Sequence, residues 1–168
     1  MSEANYGTYS IEFAHIILAA ASETDVLLKQ ICELIDSNRK VSAINGYRSV
    51  IAENHKQFFE HGAVIERYGL SFKPWENWPE EEGPEWWVGY NKVKHHRSTH
   101  FEKANLHNAL QAVAALFITN LEFMLQQRES YGKKMDVYFP SSMRDVVQAL
   151  GTQGRLFKLD DPFAYFYE

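Results

Sequence analysis

Residues 84–128 decide the fold, and they read PEWWVGYNKVKHHRSTHFEKANLHNALQAVAALFITNLEFMLQQR. Apolar residues recur there at three- and four-residue spacing, which is the period of an α-helix. Pro84 suits the first turn of a helix, where its missing N–H costs little. The stretch is long for one globular helix, and Thr99 and Glu102 form a capping-box pattern. We therefore expect a break near Arg97–Thr99 and two helices.

Two further helices are predicted upstream of this stretch. From about Ser10 to Asp36, apolar residues form one broad stripe, which indicates an amphipathic helix buried on one side. A second helix is expected from about Ser42 to His61, with Gly62 as its terminator. Residues 69–84 are punctuated by proline and glycine, so we expect an ordered loop packed by its own tryptophans.

The C-terminal part is predicted to be an appendage, over about residues 135–168, to a core over about residues 8–128. A short helix is expected to start at Ser142, and the tail from Leu156 to Tyr167 is expected to dock as an extended segment. Together these elements predict one all-α domain over residues 1–168. Its architecture is an antiparallel bundle of four main helices, with no convincing sheet.

The charge balance, the cysteine count and the absence of certain motifs exclude several classes of function. Seventeen Lys and Arg residues against 22 Asp and Glu residues leave a net charge of −5, which argues against broad adhesion to nucleic acid but permits a local basic site. The single cysteine, Cys32, excludes an intrachain disulfide and a multi-cysteine zinc site, and its apolar surroundings predict a buried thiol. No Gly-x-Ser-x-Gly elbow and no phosphate-binding glycine loop occurs.

The same sequence predicts a cytoplasmic protein without a membrane segment. The apolar run over residues 16–21 is too short to cross a bilayer and is flanked by His15 and Glu23. The first three residues lack the positive charge that begins a secretory signal.

Histidine, lysine and arginine residues are concentrated between Trp86 and His100. On a helix, Asn91 and His95 lie one turn apart on one face, where a carboxamide and an imidazole can hold a phosphate or hydroxyl between them. Histidine both accepts and donates a proton near neutral pH. Lys94 and Arg97, together with Lys92, would supply the positive field that an anionic substrate needs.

The run from Tyr90 to His95 resembles the helical motif of HEPN domains, in which an arginine and a polar residue, often asparagine, are followed by three residues and a histidine. The acidic Glu23-Thr24-Asp25 of the first helix, and the small-residue helix over residues 104–125, also resemble the helices that surround this motif. The resemblance covers about residues 10–128.

The resemblance implies a helical domain that dimerises with its motif helices facing each other. In active members, two motifs form a composite, metal-independent endoribonuclease site, as in toxins and phage-defence proteins. Carried over to this chain, His95 is the acid or base, Asn91 orients it, and Glu23 fixes the tautomer of His95 or positions a cation. The resemblance implies RNA as substrate and no cofactor.

This chain departs from the motif at one position, since Tyr90 stands where the family has arginine. A tyrosine donates one hydrogen bond but carries no permanent charge. We therefore assign Tyr90, Lys94 and Arg97 to substrate binding, with Lys94 or Arg97 replacing the missing cation. The alternative is a non-catalytic dimerisation or partner-binding module with an eroded site, which Tyr90 and the net charge favour.

A metal site is the weaker reading. His96 and His100 lie one turn apart, and His107 projects on a similar face if the helix is unbroken. Glu12 and His15 have the Glu-x-x-His spacing of di-iron bundles, but such a site needs a second pair and further carboxylates, of which only Glu122 is a candidate. We therefore predict no metal ligands.

Overall fold

The computed structural model describes residues 1–80, 83–135 and 156–160. In those ranges it contains four α-helices and three short β-strands. In chain order they are α1 (Ile11–Ile35), α2 (Ile44–Asn54), β1 (Gly62–Ile65), β2 (Leu70–Phe72), α3 (Glu85–His96), α4 (Leu106–Met135) and β3 (Lys158–Asp160). The mainly helical fold predicted from the sequence is confirmed.

The three strands form an antiparallel sheet, so the prediction of no sheet is wrong. The strand order is β2-β1-β3, and Ala63 in the central strand pairs with Phe72 on one side and Leu159 on the other. Between β1 and β2 the chain turns through Gly69, whose φ of 62° lies in the left-handed region that glycine adopts without strain. Strands of three or four residues carry too little alternation to be recognised from the sequence.

The second helix is shorter than predicted. It ends at Asn54, and residues 56–60 form a 3₁₀ turn that leads into β1 at Gly62. Phe58 and Phe59 are buried in that turn, so their spacing mimics the apolar face of a longer helix. Gly62 therefore begins a strand instead of terminating a helix.

The core lies mainly between α1 and α4, which make the most extensive contact between any two elements. Small residues line both sides of it, including Ala20 and Ala21 on α1 and Ala112 and Ala115 on α4, all buried. Such residues let two helices approach closely, and Ile17, Leu28 and Ile118 fill the space beside them.

An aromatic cluster anchors the start of α3, the helix that carries the motif. Trp75 and Trp78 are fully buried with ring centroids 4.8 Å apart, and Trp75 packs edge-on against Trp86 at 5.3 Å. The indole N–H of Trp86 donates to the carbonyl of Pro74 at 2.9 Å. The prediction that the loop packs on its own tryptophans is confirmed, although Leu70–Phe72 belongs to the sheet.

The break between α3 and α4 is confirmed, but the predicted capping box is wrong. Helix α3 ends at His96, and the Thr99 hydroxyl donates to the His96 carbonyl at 3.1 Å instead of capping a new helix. The side chain of Asn105 caps α4 instead, since its Oδ1 accepts a hydrogen bond from the Asn108 backbone amide at 2.9 Å.

Two further backbone amides at the start of α4 are satisfied by the N-terminal segment. The amides of Leu106 and His107 donate to the carbonyls of Thr8 and Tyr6. The chain's first residues thus complete the cap, which a local sequence pattern does not reveal.

At the C-terminal end, the described part of the tail docks as an extended segment, as predicted. Residues 158–160 add a strand to the sheet, and Phe157 is buried against Phe72 and Phe117. The helix predicted from Ser142 lies outside the described residues, and the one-domain assignment stays a prediction.

Within the described part of the chain, one helix is long and apolar enough to cross a membrane by length and composition. This helix is α4, over Leu106–Arg128, and 56% of its most apolar 18-residue segment is buried inside the fold. Because core helices and membrane spans both meet this test, the predicted cytoplasmic location and the absence of a membrane segment stay predictions.

Candidate functional site

Helix α3 presents its two sides to very different surroundings. Trp86, Tyr90 and Val93 are buried, whereas Val88, Asn91 and His95 are exposed. These exposed positions follow helical spacing of three and four residues, so they form one stripe on the solvent side. We call Val88, Asn91 and His95 the α3 face; it is the stripe on which the sequence placed the motif's asparagine and histidine.

Tyr90, at the family's arginine position, is buried and holds a cation. Its side chain is 6% exposed, and its ring packs against Trp87 with centroids 5.0 Å apart. The Lys94 ammonium donates to the Tyr90 hydroxyl at 3.0 Å and lies 5.3 Å from the centre of the ring. Tyr90 thus fixes a positive charge one turn further along α3.

The electrostatics around Lys94 favour its charged form. The hydrogen bond to Tyr90 holds the pKa of Lys94 above its ordinary value, and the Asp25 carboxylate on α1 acts in the same direction. Burial raises the pKa of Tyr47 on α2 to about 12, and Asp25 adds to that shift. Asp25 on α1 therefore acts electrostatically on side chains of both α2 and α3.

Glu23, the acidic residue assigned to the site, is exposed on α1. Among the described residues, no hydrogen bond or ion pair joins it to His95. Its role beside the histidine stays a prediction. The sequence analysis included Asp25 in the acidic run of the first helix but assigned the role at the site to Glu23, because the two carboxylates are only two residues apart on one helix.

The histidines near the end of α3 lie within ring-contact distance of one another. The ring centroids of His95 and His96 are 6.4 Å apart, and those of His96 and His100 are 6.5 Å apart. Arg97, assigned to substrate binding, is half-buried at the C-cap of α3. In the part of the chain that the structure describes, no group of three or more His, Cys, Asp or Glu side chains is placed to hold a metal ion.

A buried polar cluster between α2 and α4 was not foreseen as a unit. Glu122 is 2% exposed, its Oε1 accepts from Gln126 Nε2 at 2.7 Å, and it lies 3.6 Å from His55 Nδ1. A buried carboxylate requires such partners. The one available signal was a Glu-Gln pair four residues apart on the apolar side of α4. Its contacts are those of a structural link between α2 and α4.

Two concave regions lie outside the α3 face. An apolar groove of about 470 Å³ runs along α4 beside Phe117 and Met124. A smaller cavity of about 90 Å³, with a mixed polar and apolar lining, lies where α3 begins. Asn91 and His95 line neither of them.

Comparisons with family models, with curated proteins and with solved structures found no match to this chain. The HEPN resemblance stays a prediction that rests on the residues of the motif.

Proposed function

We propose that this chain is a HEPN-like protein that pairs with a second copy through the α3 face and cleaves RNA without a metal ion. One observation carries the proposal. Asn91 and His95 lie exposed one turn apart, beside a lysine whose charge Tyr90 holds in place.

The reaction that these groups support is transfer of a phosphodiester to the neighbouring ribose hydroxyl. His95 accepts the proton of the 2′-hydroxyl, the 2′-oxygen attacks the adjacent phosphorus, and the bond to the 5′-oxygen breaks. The same histidine of the second copy, in its protonated form, donates a proton to that leaving oxygen. Asn91 orients the imidazole or the attacked phosphate.

In this proposal, Lys94 supplies the positive charge that the family draws from arginine. The Tyr90 hydroxyl accepts from the Lys94 ammonium, which positions that charge at the edge of the α3 face. A single ammonium stabilises the negative charge that develops on phosphorus but lacks the two-toothed grip of a guanidinium. A preorganised donor to the developing charge contributes about 10²–10³-fold to the rate. Because a single ammonium here replaces a guanidinium, we expect slower turnover than with an arginine at the site.

The test is incubation of the purified protein with total RNA, with and without EDTA. Cleavage should persist in EDTA, and His95→Ala and Asn91→Ala should each lower it by about 10²-fold or more. The control is His96→Ala, which removes a neighbouring exposed histidine that lies off the α3 face. Full activity in both site variants would remove these residues from the mechanism, and activity lost only in EDTA would point to a metal.

A second candidate is a non-catalytic module that uses the α3 face only for association. The observation that favours it is Val88, which is 45% exposed at the N-terminal end of the α3 face. An exposed valine there suits a protein contact, and the missing arginine weakens the case for catalysis. Two results together would support this candidate. The wild-type protein forms a dimer that does not cleave total RNA, and Val88→Asp dissociates that dimer.

A further inference from the structure

The apolar groove along α4 has a volume of about 470 Å³, and we call it the α4 groove. The residues of α4 that line it are three or four positions apart, so they form one stripe on the helix: Val113, Leu116, Phe117, Asn120, Leu121 and Met124. Within the described part of α4, the exposed residues Asn120, Met124 and Gln127 all follow this stripe. None of them belongs to the α3 face, so the inference does not rest on the proposed RNA site.

The α4 groove presents apolar side chains to solvent. Met124 is 38% exposed, and Leu156, which also lines the groove, is 53% exposed. Single exposed apolar residues are ordinary on a protein surface, but these two adjoin the half-buried Leu116 and Phe117 in one continuous groove. A contiguous apolar surface of this kind is typical of a site that another segment or molecule covers.

The path of the chain leads from the end of α4 back to this groove. Helix α4 continues to Met135, and the chain meets the groove again at Leu156 and Phe157. The Phe157 ring stacks on Phe117 with centroids 6.4 Å apart. By the rise of an α-helix, Met135 lies about 27 Å beyond Phe117 along the axis. Residues 136–155 therefore have to connect the far end of α4 with the groove.

This connection contains a sequence that matches an apolar groove. The short helix predicted from Ser142 carries apolar residues at positions i, i+3, i+4 and i+7, namely Met143, Val146, Val147 and Leu150. Side chains at this spacing are the ones by which an amphipathic helix binds in an apolar groove. Asp145 and Gln148 fall on the opposite side of such a helix, where solvent suits them.

The lengths of the connecting pieces permit this arrangement. As a helix, Ser142–Leu150 covers about 13 Å. Residues 136–141 extend to about 20 Å and residues 151–155 to about 16 Å, at about 3.3 Å per residue. The chain can therefore turn back after Met135, follow α4 in the opposite direction and join Leu156.

We propose that residues 142–150 bind in the α4 groove of their own chain, with their four apolar side chains against the stripe on α4. The occupant is tethered to the groove at Leu156, so its effective concentration exceeds that of a second copy in solution. With this segment in place, α4 is covered by protein along the groove as well, which is the setting of a core helix and not of a membrane span.

The experiment measures how far solvent reaches two methionine methyl groups in the full chain. Met1 and Met124 are 47% and 38% exposed in the described structure, so a soluble gadolinium chelate broadens both NMR signals similarly if the groove is open. If residues 142–150 cover the groove, the Met124 signal should be broadened several-fold less than the Met1 signal. Similar broadening of the two signals would overturn the proposal.

A matched pair of variants identifies the occupant. Val147→Asp places a carboxylate on the apolar side of the segment, so the broadening of Met124 should rise to that of Met1. Gln148→Asp places the same group on the polar side and should leave Met124 protected. The thermal transition checks that each variant folds. Protection that persists in Val147→Asp would assign the groove to a different occupant and contradict the proposal.

Two further conditions distinguish the remaining occupants. Protection by the chain's own segment is independent of protein concentration, whereas protection by a second copy falls on dilution. Phosphatidylcholine vesicles should leave the Met124 signal unchanged, because the groove is already covered. Protection that disappears on dilution, or that arises only when vesicles are added, would overturn the assignment to residues 142–150.

Discussion

At the scale of single residues, the departure from the motif at Tyr90 has a physical counterpart in Lys94. A buried arginine at that position would need several acceptors, whereas a tyrosine satisfies its ring by packing and uses its hydroxyl to hold an ammonium outside the core. The cation thus lies at the surface, one turn beyond its place in the motif. Sequence reasoning named both residues for substrate binding, but it did not reveal that they contact each other.

Replacing Tyr90 by phenylalanine tests this contact. Tyr90→Phe keeps the ring against Trp87 but removes the acceptor, so the pKa of Lys94 should fall toward its ordinary value. NMR titration of the Lys94 side chain measures this. RNA cleavage should also fall, while the thermal transition stays near that of the wild type. Tyr68→Phe alters an exposed tyrosine and is the control. An unchanged pKa of Lys94 would show that the hydroxyl does not position the ammonium.

Cys32 provides a prediction of pH dependence. Its side chain is fully buried, as predicted, and burial raises the pKa of its thiol to about 12. The thiol in the unfolded chain ionises near its ordinary pKa of 9.0, so the folded state binds more protons above that pH. The free energy of unfolding should therefore fall as pH rises from about 9 toward 12, with a contribution from Cys32 that approaches about 1.4 kcal/mol per pH unit.

Urea denaturation between pH 8 and pH 10.5 measures this dependence. Cys32→Ala should be less stable at pH 8, because a buried group is lost, but its stability should fall less steeply with pH. Tyr47, whose pKa is also raised to about 12, keeps part of the slope above pH 10 in both proteins. Equal slopes below pH 10 would contradict the burial of the thiol.

At the scale of elements, a helix with a long apolar period was predictable together with its ends, whereas the ends of a shorter helix were not. Helix α1 was expected from Ser10 to Asp36 and spans Ile11–Ile35. The limits of α2 and the sheet were missed, because 3₁₀ turns share much of the helical spacing and because β1 pairs with β3 from the far end of the chain. Pairing between distant segments leaves no local signal.

The start of α4 gives the prediction at this scale. Asn105→Ala removes the side chain that accepts from the Asn108 amide, so it should lower the free energy of unfolding by about 1 kcal/mol. Asn120→Ala, at an exposed position within the same helix, is the control and should change stability by less than about 0.5 kcal/mol. Thr99→Ala should behave like this control if Asn105 is the cap. A larger loss in Thr99→Ala than in Asn105→Ala, measured by urea denaturation, would restore the capping box.

At the scale of the whole molecule, the proposed function depends on a surface that a single chain does not complete. The motif's position on one helix was predictable from its spacing, and both Asn91 and His95 are exposed on α3. The electrostatic effect of Asp25 on Lys94, and the cavity at the start of α3, arise from segments far apart in sequence. Association between copies leaves no periodic signal of its own, so the dimer must be measured.

The proposed function requires that two α3 faces meet. Lys92, in the middle of α3 at the edge of the face, can be changed to cysteine and spin-labelled in a Cys32→Ala background, so that each chain carries one label. Packed helices lie about 8–10 Å apart, so pulsed EPR should give a label-to-label distance of about 20–30 Å that disappears in Val88→Asp. A sample without dipolar coupling, or with a distance that Val88→Asp leaves unchanged, would contradict pairing through the α3 face.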